Sequence, residues 1–451
     1  MKAAKNKYDY IVVGSGAGGG TLFRELAIRG KDVLCIEWGS PFEKIGTMMG
    51  ATFDFNGTSL CRLLPRSMHK SVMYPPRTKE GVITWRAIGA GGTSVLSMGN
   101  GARSMEDELA SMGVDLEAES EETENEVGLD FLTERLLGKG SRAIRDASEA
   151  LGYSMVPMPK SINAKKCVKC HKCLYGCSYG AKWDTLAWIS EAEENGADII
   201  YDTKVLKVTR SNGKVQGVSV KGPGGKREIK ANTVILSSGG MATPVILQNS
   251  GIKEAGGGFF LDMFWTTYGI TSEKGLNLDK EPNMPMVALE WYNNEGFLLS
   301  PYVNHDRTTR VPEMNPLRAM KGSKNMLGIM TKISDDANGR VYPDGTCSKP
   351  VTERDWKRLK QGAGLSRDIL KKVGVKPDSL FESKIQGAHP GGTAAIGTVV
   401  DADLQTKIDN LFVCDASVFP AQEFNDKDRL PPILTIVALA KRLAKTLSSE
   451  T

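Results

Sequence analysis

The stretch YDYIVVGSGAGGGTLFRELAIRGKDVLCIE, residues 8–37, decides the fold. Tyr8 to Val13 is a strand pattern, Gly14-Ser15-Gly16-Ala17-Gly18-Gly19 follows at once, and Thr21 to Arg29 reads as a helix that Gly30 stops. Asp32 to Ile36 is a second buried strand ending in Glu37. Strand, glycine turn, helix and strand in that order make a dinucleotide-binding βαβ unit, so the expected class is α/β with a Rossmann-like domain. Gly14 permits the tight turn, Gly16 lets backbone approach a pyrophosphate, Gly19 lets helix close on strand, and Glu37 can hold both ribose hydroxyls. An acid at that position repels a 2′-phosphate, which argues against NADP. The fingerprint alone does not separate NAD from FAD.

The carboxyl-terminal end brings a second set of chemical groups. His389 stands in GAHPGG, residues 387–392, and imidazole titrates near a working pH. Asn410 to Ala416 reads as a short strand carrying Asp415, whose carboxylate can accept hydrogen bonds from cofactor hydroxyls. Pro431-Pro432 opens an apolar-faced helix running to about Leu447, and proline suits a first helical turn because its missing N–H has no partner there.

Two internal stretches extend the pattern. WRAIGAGGTSVLSMGNGAR, residues 85–103, carries Arg86, Gly89, Gly91, Gly92, Thr93 and Ser94, and VILSSGGMATPVILQNSGI, residues 234–252, carries Gly239, Gly240, Thr243 and Pro244. With the amino-terminal fingerprint and the tail, they resemble the glucose–methanol–choline (GMC) oxidoreductase family along most of the chain. That resemblance implies FAD, with the Arg86–Ser94 loop lying against flavin and pyrophosphate. It implies a β-sheet-containing substrate domain, His389 as general base, and the helix opening at Pro432 stabilising electron density on the reduced ring. The family's asparagine position falls near Ser97, with Asn100 three residues on as the candidate cofactor contact. The family's tail also has histidine or asparagine before the helix proline, where this chain has Pro431. Either His389 works alone, or Asn425, Asp426, Arg429 or a substrate-domain residue supplies its partner.

Cys167, Cys170, Cys173 and Cys177 form C-x2-C-x2-C-x3-C, the spacing of a bacterial ferredoxin run. Such thiolate density suits a metal in a reducing compartment rather than disulfides. A four-iron four-sulfur (4Fe-4S) cluster is the expectation, with Lys165, Lys166, Lys169 and Lys172 offsetting its charge. Zinc or another structural metal held by four thiolates, with His171 as a substitute ligand, is one alternative, and free thiols or a redox disulfide the other. Ser178 stands where such runs carry proline, and no second run is present, so Cys61 and Cys347 remain open as fourth ligands beside Cys177. Cys35 and Cys414 read as small buried hydrophobes in core strands.

The 451 residues are 40% hydrophobic and 25% charged, with 58 basic against 53 acidic side chains, enough for a sizeable core in two intertwined domains. Without a basic, aromatic-interleaved tract, nucleic-acid binding has no support. No apolar run of spanning length and no signal-like leader is present, so the expectation is a cytoplasmic protein. The organisation reads as a discontinuous FAD domain (1–110, 185–252, 386–451), a helical and cysteine-rich insert (111–184) and a substrate domain (253–385). Expected elements include a helix over Phe131–Leu151, a hairpin about Asn212-Gly213, strands near Met286–Trp291 and Gly296–Tyr302, and a helix from Thr352 to about Val373. The acidic run 114–128 reads as a solvated helix face or loop.

The expected reaction is dehydrogenation of a hydroxyl-bearing alcohol or sugar, hydride passing to flavin N5 while His389 takes the proton. Electrons then leave through the cluster toward a ferredoxin-like carrier. An oxygen-using alcohol oxidase with structural zinc, or a non-catalytic electron-transfer or scaffold flavoprotein, are the competing expectations.

Overall fold

The computed structural model describes residues 5, 7–41, 52–53, 72–74, 77–276, 278–304, 313–314, 325–421 and 431–449. Cys61, His69, His305, Asn425, Asp426 and Arg429 lie outside the described residues.

Two sheets organise the chain. In the first, the strands Asp198–Ile200, Val33–Ile36 and Lys7–Val13 run parallel, and Lys7–Val13 pairs in parallel with the carboxyl-terminal half of the long strand Gly225–Leu236. Leu411–Val413 adds in parallel on the far side of that strand, beside Val234–Leu236. Residues 10–13, 33–36, 234–236 and 411–413 of these strands are apolar and buried, as covered parallel strands require, and the helix Ala17–Ile28 packs against the terminal helix Ile433–Ser449. The other half of Gly225–Leu236 joins an antiparallel hairpin, Lys204–Ser211 with Lys214–Gly222. Its turn residues Asn212 (φ 49°) and Gly213 (φ 79°) both take positive φ, the requirement of the two-residue hairpin expected from Asn-Gly.

The second sheet holds Phe297–Pro301, Met326–Ile333, Met263–Ile270, Gln386–Gly387 and Ile83–Thr84 in that order. The helix Glu353–Lys372 packs on it, opened by a reciprocal cap in which Thr352 Oγ1 accepts from Asp355 N and the Asp355 carboxylate from Thr352 N. Strands from both ends of the sequence share this sheet, so residues 83–84 and 386–387 stitch the two halves together.

Three expectations change in detail. The helix expected over Phe131–Leu151 is only Lys139–Glu149: Asp130–Phe131 is a short strand on Pro159–Lys160, and Gly138 N donates to the buried Glu281 carboxylate at 2.7 Å, fixing where the helix begins. The strand expected over Met286–Trp291 stops at Val287, and Tyr292–Glu295 forms a helical turn. The acidic run is the helix Glu117–Val127, and its face is not simply solvated. It packs on the terminal helix, where buried Lys441 meets Glu122 at 2.7 Å and Glu126 at 2.8 Å. Among the described residues, no helix is long and apolar enough to cross a membrane.

Candidate active site

The first glycine turn joins strand to helix with almost no spare volume, except at one position. Gly14 has φ +98°, and a Cβ there would lie 2.5 Å from Ser237 O; one on Gly19 would lie 1.9 Å from Gly14 O. At Gly16 a Cβ would meet nothing within 4 Å. Gly16 also caps the helix Ala17–Ile28 without any side-chain bond to its free N–H groups. Open space over an uncapped helix start fits a diphosphate. Glu37 is buried beside it and accepts from Ser15 N at 3.0 Å, Ser15 Oγ at 2.7 Å and Gly39 N at 2.8 Å. Burial raises its carboxyl above the usual range despite those donors.

The second glycine loop closes on the first. A Cβ on Gly92 (φ +51°) would stand 3.0 Å from Gly16 Cα. Gly91 N donates to Ser15 Oγ at 3.1 Å, Ser94 Oγ donates to Gly91 O at 2.6 Å, and Thr185 Oγ1 donates to Ser15 O at 3.2 Å. Thr93 and Arg86 lie on the same segment, with Thr93 Oγ1 accepting from Ala87 N at 3.4 Å. Asp415 differs from its expected use. Its carboxylate takes four protein donors: Gly239 N at 2.8 Å, Thr243 Oγ1 at 2.6 Å, Ser417 N at 2.8 Å and Ser417 Oγ. All its acceptor positions are filled, so it clamps the second family signature to the tail strand, and any cofactor hydroxyl must displace one of these bonds. Asn100 is likewise engaged, by Lys160 at its oxygen and by Met284 Sδ at 3.5 Å from its amide nitrogen. Pro432 stands just ahead of the terminal helix, and its carbonyl accepts from Ile436 N at 3.0 Å.

His389 sits where the tail crosses from one sheet to the other. Gln386–Gly387 pairs with the start of Met263–Ile270, His389 N donates to Leu261 O at 3.1 Å, and Thr393 Oγ1 donates to Gly240 O at 2.8 Å. Its Nδ1 lies 2.9 Å from Asp262 Oδ2, and Lys332 Nζ lies 3.0 Å from the same oxygen. Asp262 is 2% exposed and holds φ +51°. Leu261 N and Met263 N, on either side, both donate at 3.1 Å to the buried Asp335, which pairs with Lys349 at 3.0 Å. Burial works against the Asp262 carboxylate, but Lys332 and His389 outweigh it and hold it below its usual range. Nδ1 therefore carries the proton toward Asp262, and Nε2 is left as the acceptor. The His389 side chain is 23% exposed, yet its surroundings desolvate it enough to lower its pKa, Asp262 pulling back upward.

The cysteine loop forms a hollow lined by Cys167, Cys170, Cys173 and Cys177 together with His171 and Lys182. Lys169 and His171, flanking Cys170, hold φ of 59° each and fold the chain around it. Ala181 N donates to Cys177 Sγ at 3.3 Å. Among the described residues, no three His, Cys, Asp or Glu side chains group as the ligands of a metal ion, so the expected ligand set is gathered around a common space without being closed. His171 bonds backbone carbonyls through both ring nitrogens, Glu281 O at 3.0 Å and Val303 O at 2.9 Å, and is thus occupied elsewhere. Cys347 is buried in a strand on Gly339–Val341 and does not line the hollow.

Sequence reasoning missed Asp262, Lys332, Lys160, Lys182 and Thr185. A signal existed for Lys332, a lone charge within MLGIMTKI, every residue of which is buried. Nothing local marked Asp262, whose partner lies 127 residues away.

A dinucleotide turn, a second glycine loop and an oriented imidazole at the seam of two sheets define a two-domain flavin-dependent oxidoreductase. The chain matches the GMC oxidoreductase family over residues 8–264 (amino-terminal part) and 332–440 (carboxyl-terminal part), and it belongs to that family. As such it is an FAD-dependent oxidoreductase acting on CH–OH groups. An uncharacterized protein of Methanocaldococcus jannaschii is 29% identical, covering 98% of this chain and all of that one. Long-chain-alcohol oxidase FAO3 of Arabidopsis thaliana is 22% identical over 99% of this chain and 69% of its own. Pyridoxine 4-oxidase from Mesorbium loti shares the fold, with a TM-score of 0.72 at 16% identity over 97% of this chain and 99% of its own.

Proposed function

We propose that the protein oxidises a hydroxyl-bearing small molecule, an alcohol or sugar, with His389 taking the hydroxyl proton at Nε2. The single observation that carries this reading is the bond between His389 Nδ1 and buried Asp262, which leaves Nε2 as the base. FAD, when bound, supplies the hydride acceptor. Gly16 leaves room for its diphosphate at the tight turn that Gly14 and Gly19 permit, Glu37 takes a ribose hydroxyl, and Gly91, Gly92, Thr93 and Ser94 with Arg86 cover it from the second loop. Asp262 keeps the imidazole in one tautomer and stabilises the cation formed on proton uptake, with Lys332 fixing the carboxylate. The partner missing at Pro431 is thus supplied by the substrate domain. Met263, Tyr268, Met286 and Phe297, on strands of the substrate domain, pack as core.

Electron exit is proposed through a 4Fe-4S cluster in the cysteine hollow to a ferredoxin-like carrier, in the cytoplasm, whose reducing conditions keep the thiols free. The shared hollow and the ferredoxin spacing support this. FAO3 is a long-chain-alcohol oxidase and the structural neighbour a pyridoxine 4-oxidase, which favours a second reading, an oxidase using oxygen; zinc would then occupy the hollow. Anaerobic purification followed by FAD, iron, sulfide and zinc determination separates them. FAD with iron and sulfide is expected. Zinc with FAD and peroxide formation overturns the carrier reading, and absence of FAD overturns both.

A further inference from the structure

Two lysines beside the cysteine hollow are buried with no carboxylate in contact among the described residues, Lys182 having only Asp184 within electrostatic range. Lys160 is 0% exposed and its Nζ donates to Met98 O at 3.0 Å and to Asn100 Oδ1; Lys182 is 4% exposed and donates to Ser94 O at 2.9 Å and Val95 O at 3.0 Å. Neither makes a salt bridge among the described residues. The other buried lysines do: Lys332 with Asp262, Lys349 with Asp335, and Lys441 with Glu122 and Glu126. Moving an ammonium out of water costs several kcal/mol, which neutral carbonyls only partly offset. The groups within electrostatic range of Lys160 that can carry negative charge are Cys173 and Cys167; for Lys182 they are Asp184, Cys173 and Cys177.

As neutral thiols these cysteines compensate nothing. Four thiolates around a dicationic core, whether an oxidised 4Fe-4S core or a zinc ion, leave a dianion that two ammoniums match. Resting on the metal–thiolate reading of the loop, we propose that Lys160 and Lys182 are the built-in counter-ions of a dianionic group held by Cys167, Cys170, Cys173 and Cys177. The lysines expected for this from the sequence are less suited: Lys165, Lys166 and Lys172 are exposed, and Lys169 points its Nζ at Arg135 O, 3.2 Å away. The carbonyls that Lys160 and Lys182 grip belong to Ser94, Val95 and Met98, the run continuing directly from the glycine loop. Lys182 lines the hollow and grips Ser94 O and Val95 O, so it ties the hollow to the run that continues the glycine loop.

The test uses anaerobically purified full-length protein and its Lys160→Met and Lys182→Met variants, with FAD content reporting folding. The metal or cluster should leave each variant several-fold faster under a chelator. If the group is iron–sulfur, its midpoint potential should shift negative, because a cluster that loses a nearby cation is harder to reduce. Stripping the wild type should lower its thermal midpoint, since the ammoniums lose their counter-charge. A loaded wild type whose variants match it in chelator rate and potential, or whose midpoint is unmoved by stripping, overturns the inference while leaving the site itself standing. A wild type free of iron, sulfide and zinc overturns the underlying metal reading instead.

Discussion

Buried lysines divide the molecule into two regions. Toward the terminal helix and the substrate sheet, Lys441, Lys349 and Lys332 each meet carboxylates at 3.0 Å or closer. Beside the cysteine hollow, Lys160 and Lys182 meet only carbonyl and amide oxygens. The first region pairs its buried charges within the polypeptide; in the second, a bound dianion is proposed to do so. Burial of Lys160, which takes its pKa down to about 7, with Cys173 the largest opposing influence, marks the same imbalance.

The contrast is sharpest where a pair is broken. Asp262→Ala breaks the buried pair with Lys332 and should cost roughly 3–5 kcal/mol of stability in denaturant unfolding, besides slowing turnover by freeing His389. Lys441→Met should cost less, roughly 2–3 kcal/mol, because Glu122 and Glu126 keep part of their water; its iron, sulfide and FAD content should be unchanged. In the unpaired region the sign reverses. Lys160→Met in metal-stripped protein should be neutral or stabilising by about 1 kcal/mol, because an orphan charge gives way to an isosteric apolar chain. A loss as large as that of Lys441→Met would erase the distinction between the regions. Away from both, Thr352→Ala should cost about 1 kcal/mol through the lost cap of the helix Glu353–Lys372, with no change in cofactor content.

The pH dependence tests the paired region under turnover. His389 must be neutral to accept a proton, and desolvation lowers its pKa from the ordinary value, about 6.5 for free histidine. The acid limb of kcat/KM should therefore fall below about pH 6.5. Asp262→Asn removes an influence that raises the imidazole pKa, so it should push that limb further down; an upward shift would contradict the assigned contact.

Much of this was legible in the sequence because it is local. The turn Gly14–Gly19, the strand ending at Glu37, the Asn212-Gly213 hairpin and the Thr352 cap each depend on residues a few positions apart. The family resemblance was likewise readable from four short stretches. What escaped depends on tertiary approach. Asp262, just ahead of Met263–Ile270, reaches His389, and Lys332 on the neighbouring strand reaches Asp262. Asp415 looks like an open acceptor until Gly239, Thr243 and Ser417 fold onto it. Lys160 and Lys182 look like ordinary surface lysines flanking a cysteine loop, and only burial shows them as charges without partners. The acidic run 114–128 was half read: its helix is there, but its carboxylates serve Lys441 and Lys445.

The most direct measurement is single-turnover, anaerobic flavin reduction by a panel of alcohols and sugars, comparing wild type with His389→Ala at equal FAD content. The account predicts that at least one substrate bleaches the wild-type flavin and that the variant does so about 10²–10⁴-fold more slowly, the usual contribution of a positioned general base. Equal rates in the two proteins would contradict it.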